Sequence, residues 1–142
     1  PGEAYPDSKE AQKVGYYKLP VEALSTNYTY PQENGNRHEV RRAAFYDDKM
    51  CGILVSGAPL FDFSAHHYTA QALEEAKHPH EIEYCDELVL NLNWKSAPLG
   101  SNSCGPLPED KLLIKPGDFK FSMNFRGFAG AELDDKTFFT MI

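Results

Sequence analysis

The sequence predicts an all-β fold, an antiparallel β-sandwich with one short helix near residues 69–77. Three observations predict it. Apolar residues recur at period two in several runs, most clearly at Leu88, Leu90, Leu92 and Trp94, and at Phe119, Phe121, Met123 and Phe125. Ten Gly and ten Pro punctuate the chain, so the runs between them are short. One stretch alone, Thr69–Lys77, combines helix-forming residues with signals at both ends: Thr69 as N-cap, Lys77 and His78 for the C-terminal dipole, Pro79 as the stop.

In chain order, residues 1–13 are polar and read as irregular. Val14–Leu19 is expected to be a short strand closed by Pro20, and Val21–Ser25 a single turn. Tyr28 and Tyr30 form a strand-like stripe that Pro31 ends. Residues 31–37 then turn, with Gly35 available for positive φ. Glu39–Tyr46 and Met50–Ser56 read as a hairpin joined by Asp47, Asp48 and Lys49. Gly57 and Pro59 predict a turn, and Leu60–Phe63 a short strand. After the helix, Glu81–Tyr84 leads into the strand within Asp86–Trp94. Lys111–Ile114 is expected as a strand, Pro116–Asp118 as a turn, and Phe119–Arg126 as a strand with one wet face. The main domain is placed at residues 1–126, with a C-terminal tail at 127–142 ending in an apolar run.

Composition limits the function classes. The net charge of −7 disfavours nucleic acid, whose phosphates call for basic patches, and disfavours an anionic membrane surface. No apolar run approaches the length of a membrane-spanning helix. Three cysteines, with no C-x-x-C pair, point to a reducing, cytoplasmic setting; one bridge between two of them stays open, as does secretion. Asn27-Tyr28-Thr29 fits a glycosylation pattern that matters only in a secreted protein. The absence of an initiator Met and of a signal peptide suggests a fragment, a processed chain or an excised domain.

The strand ending at Trp94 delivers a long loop over residues 95–108. Pro98, Gly100, Gly105, Pro106 and Pro108 prevent regular structure there. A polar loop on a rigid strand is where binding residues are commonly carried, though a plain connector has the same composition. Other candidates are weaker. His66-His67 and His78-Pro79-His80, with Glu81 and Glu83, offer zinc-type ligands, but their spacing matches no zinc signature, so no metal and no cofactor is assigned. Glu74-Glu75, Glu109-Asp110 and Asp134-Asp135 are neighbours on surface segments, and a glycosidase needs its two carboxyls facing across a cleft. Cys104 has no neighbouring base to lower its pKa. No catalytic residue is assigned.

The order of several short motifs carries a resemblance. They are Gly2-Glu3-Ala4-Tyr5-Pro6-Asp7, Tyr30-Pro31-Gln32-Glu33-Asn34-Gly35-Asn36-Arg37, Phe61-Asp62-Phe63-Ser64, His67-Tyr68-Thr69, Leu90-Asn91-Leu92-Asn93 and Gly100-Ser101-Asn102-Ser103-Cys104-Gly105-Pro106. Together they resemble the C-terminal part of the last domain of family 2 β-galactosidases, the lacZ-like enzymes, over residues 1–126. The resemblance implies a galactose-mutarotase-like supersandwich, present here in part. It implies that the catalytic glutamates and metal ligands lie in a separate barrel domain, which nothing in this chain resembles. It further implies that the loop borders the sugar, with Ser101, Asn102, Ser103 and Cys104 as substrate-binding residues. The family carries a Trp at the position of Cys104, and a thiol offers far less face to a sugar ring.

The leading expectation is therefore a C-terminal domain or small chain of a β-galactosidase that hydrolyses terminal β-galactosides such as lactose. Its partners would be a β-galactoside or galactose, the remaining domains or large chain, and, as an open case, a second copy. The alternatives are a stand-alone galactose-binding, lectin-like module and a purely structural piece.

Overall fold

A computed structural model describes residues 2–100 and 105–130. The chain is all-β and antiparallel, with very little helix. The strands are β1 (Arg37–Tyr46), β2 (Gly52–His66), β3 (Val89–Asn93) and β4 (Ser122–Phe128). Among the described residues they belong to one sheet, in which β1, β3 and β4 all neighbour β2. The only α-helix among those residues, α1 (Ala70–Glu75), begins where expected: Thr69 Oγ1 accepts a hydrogen bond from Ala72 N at 3.1 Å. It stops earlier than expected. Glu81 draws the Lys77 and His78 N–H groups into the next turn, and Pro79 opens a 3₁₀ turn, Pro79–Glu81.

The fold divides into two compact units. The first comprises Pro1–Glu39 and Asp62–Gly117. Here β2 pairs with β3, from Asp62↔Asn93 to His66↔Val89. Its buried apolar residues are few: Ala4, Tyr5, Ala65, Tyr68 and Ala76. Asn34, Asn36, Arg37, Asp62, Ser64 and His66 are buried with them, and buried polar groups require partners. They have them. Asn34 Nδ2 donates to the Tyr68 hydroxyl at 2.9 Å, His66 Nε2 meets Asn34 O at 2.9 Å, and His38 Nδ1 lies 3.0 and 2.9 Å from the two Asp62 oxygens. Gly35, at φ +74°, supplies the left-handed turn expected of it.

The second unit comprises Val40–Phe61 and the segment from Asp118 onward. It is the apolar one, with Ala43, Leu54, Val55, Phe61 and Phe128 buried. The β1–β2 hairpin forms as expected around Asp47, whose Oδ1 accepts the Lys49 and Cys51 N–H groups, both at 2.9 Å. β4 pairs with β2 from Gly52↔Phe128 to Ala58↔Ser122.

Several expectations fail for physical reasons. Residues 14–19 and 28–30 are irregular: neither segment joins a strand ladder, and the Tyr28 hydroxyl is engaged by Glu3 instead. Residues 57–59 lie within β2 rather than in a separate turn, but the strand bends sharply there: its pairing with β4 ends at Ala58 and its pairing with β3 begins at Asp62. Gly57 lies so close to the Phe61 side chain that a Cβ would sit 2.9 Å from Phe61 Cδ1. The expected strand at 111–114 is a 3₁₀ turn, Asp110–Leu112, flanked by the ion pairs Lys111–Glu109 and Lys115–Asp110, each at 2.6 Å. The Phe119–Phe125 stripe is wetter than its alternation suggests. Phe119 is 64% exposed and Phe125 61%, since no second layer among the described residues covers that face.

Candidate functional site

Ser101, Asn102, Ser103 and Cys104, the residues expected to bind substrate, lie outside the described residues. The two ends of their loop are described; the first opens with a contact between neighbouring residues and is then fastened at two successive points. Lys95 Nζ sits 4.8 Å above the Trp94 ring, a cation–π contact at the strand's end. Ser96 Oγ donates to Asn36 Oδ1 at 3.4 Å; Asn36 Nδ2 donates in turn to Ala4 O and to Asp62 Oδ2. The Leu99 and Gly100 N–H groups then donate to the Asp7 carboxylate at 3.1 and 2.9 Å. The stem is thus tied to the N-terminal segment more than ninety residues away in sequence.

Burial pushes the Asp7 carboxyl upward, but the N–H groups of Gly100 and Leu99, with its own, outweigh this and hold it below the usual carboxylate range. The sign follows. The carboxylate's contribution is present above the ordinary carboxyl pKa and is lost as the pH falls through the lowered value. Asp7→Ala is expected to cost about 1 kcal/mol, discounted for exposure, and to speed amide exchange at Leu99 and Gly100. Hydrogen exchange with mass analysis of the 95–100 peptide checks this; unchanged protection there would refute the clamp.

Beside the stem lies an open cleft of about 350 Å³. Pro6, Asp7, Lys9, Gly100, Pro106 and Leu107 are among the residues that line it, so prolines and leucine alternate with charged groups. That size lies within the ordinary range of small-ligand sites.

The N-terminal segment is positioned by a second hub that the sequence reading missed. The Glu3 carboxylate accepts from Tyr5 Oη at 2.7 Å, Tyr28 Oη at 3.0 Å and Gly35 N at 3.1 Å. Burial, reinforced by Glu3, holds the Tyr5 and Tyr28 hydroxyls above the ordinary phenol range. Burial lowers the Arg37 guanidinium, and the Glu3 charge opposes that shift. Glu3, Asn34, Gly35, Asn36 and Arg37 all belong to the quoted motifs. Their clustering in the chain was the available signal.

The histidines part company. His66 is buried, stacked 4.5 Å from Tyr68, and burial lowers its pKa. His67 Nδ1 meets Glu87 O at 3.1 Å. His78, His80 and Glu81 come together on the surface. The Lys77 N–H, followed by His78, holds the Glu81 carboxyl below its usual value. Of the adjacent carboxylates, Glu74-Glu75 and Glu109-Asp110 are exposed, whereas Asp134-Asp135 lie outside the described residues. Cys51 and Cys85 are free thiols.

An antiparallel β domain that presents a long, stem-anchored loop defines the class. The particular family follows from sequence: the profile described as "Beta galactosidase small chain" matches residues 1–125, and the chain belongs to that family. Similar proteins include the β-galactosidases of Actinobacillus pleuropneumoniae (32% identity over 83% of this chain and 11% of that protein), Arthrobacter sp. strain B7 (34%, 82% and 12%) and Kluyveromyces lactis (32%, 87% and 12%). The chain therefore spans only about an eighth or less of the relatives it matches.

Proposed function

We propose that this chain is the C-terminal domain of a family 2, lacZ-like β-galactosidase, and that its 95–108 loop borders the galactoside. The reactive carboxylates come from the remaining domains, which are its partners in one cytoplasmic enzyme. Ser101, Asn102, Ser103 and Cys104 contact the sugar at the loop's tip. No cofactor binds within this contribution. The observation that carries the reading is the fastened stem: a loop held at Asn36 and Asp7 can present a tip at fixed geometry, which is what positioning a substrate needs. The exposed apolar residues support a covered role for the chain, since Val14 (85%), Leu107 (70%) and Phe125 (61%) suit packing against further protein.

The test uses the full-length enzyme that contains this segment. Replacing residues 101–104 by four glycines is expected to raise KM for an aryl β-galactoside at least about tenfold, with the assembly intact by gel filtration. Unchanged kcat and KM would overturn the proposal. Hydrolysis of the same substrate by the 142-residue chain alone would overturn the assignment of the acids to other domains. Saturable galactose binding by the isolated chain would favour the lectin-like alternative.

A further inference from the structure

We infer that His78, His80 and Glu81 form a binding site for a borderline-soft divalent transition ion such as Zn²⁺. Their ligand atoms all lie within 4.8 Å of one another, on one exposed turn. Two imidazoles and a carboxylate are a donor set that zinc accepts, with its remaining position left to water. His78 Nδ1 and Glu81 Oε1 stand 3.1 Å apart. That is close to the separation of about 3.4 Å between two ligands on a tetrahedral ion with bonds of about 2.1 Å. The His80 ring stacks on that of His78, centroids 5.5 Å apart and planes at 21°, so a small rotation of an exposed side chain completes the set.

The turn is built to hold the carboxylate. Glu81 Oε2 accepts the Lys77 and His78 N–H groups at 2.8 and 3.1 Å, which fixes the group, and an ion would replace the direct contact between Oε1 and His78 Nδ1. Ligating carboxylates are generally oriented by hydrogen bonds of this kind. Pro79 stiffens the turn between the ligands, and the tight 3₁₀ spacing sets residues 78 and 81 on the same side. His66 and His67 are committed elsewhere, the first to Asn34 O and the second to Glu87 O. An ion here would brace the Pro79–Glu81 turn against its N-cap residue, His78.

The test is calorimetric titration of the tag-free 142-residue chain with ZnCl₂, its three cysteines replaced by serine to remove competing thiols. One Zn²⁺ per chain is expected to bind saturably, and Mg²⁺, which demands oxygen ligands, is expected not to bind. His78→Gln, His80→Gln and Glu81→Gln should each weaken Zn²⁺ binding at least about tenfold, while His67→Gln leaves it unchanged. Circular dichroism of each variant separates ligand loss from unfolding. No saturable binding up to about 1 mM, or equal affinity in the His80→Gln variant, would overturn the inference.

Discussion

Glu3→Ala should lower the stability of the chain by about 3 kcal/mol, seen as a fall in the urea midpoint without a change in slope. The carboxylate serves three donors at once, and two of them, the Tyr5 hydroxyl and the Gly35 N–H, belong to buried residues. Stranding a buried donor costs about 1–3 kcal/mol. Arg37 adds to the penalty. The residue is 7% exposed and its Nε has no hydrogen-bond partner among the described residues, while Nη1 donates to Leu24 O and Gly35 O. Without the Glu3 charge it would be a buried cation left to two carbonyls. Glu3→Gln separates the two contributions. It keeps an acceptor oxygen but no charge, so it should lose less than Glu3→Ala. A Glu3→Ala chain with the parent midpoint would show that the hub contributes nothing.

The second large effect lies in the hairpin. Gly52→Ala places a Cβ 1.9 Å from Phe45 O and 2.7 Å from Tyr46 Cα, and both are backbone atoms that cannot swing aside. β1 and β2 must part locally. The register Gly52↔Phe128 and the edge-on contact between Tyr46 and Phe128, 6.1 Å between centroids, then loosen as well. The expected cost is about 3 kcal/mol, at the upper end for overpacking. The readout is amide exchange: peptides covering residues 40–56 should lose protection. If their exchange matches the parent chain, the close approach is not a constraint.

The fold was legible where local chemistry decides it. Thr69 as a cap, Gly35 at positive φ and Asp47 at the head of the hairpin all act within a few residues of themselves. It was illegible where partners decide. Residues 14–19 read as a short strand but join no strand ladder among the described residues, and 111–114 was taken up by two charge pairs flanking a 3₁₀ turn. Gly57 and Pro59 read as a break, and the chain does bend there, but it stays within β2, which changes its ladder partner from β4 to β3 across the bend. The loop itself was legible from its prolines and glycines. Its fastening was not, since Asp7 lies 92 residues from Leu99 and nothing in either segment announces the other.

That long separation bears on the order of folding. Hairpin β1–β2 closes over five residues, but the seat of Leu99 and Gly100 needs the two ends of a ninety-residue excursion to meet. Loop closure of this kind is penalised until the intervening chain is compact. Docking of the stem is thus a late event, and Asp7→Ala, which spares the Glu3 hub, would keep the sheet while leaving that arm unmoored.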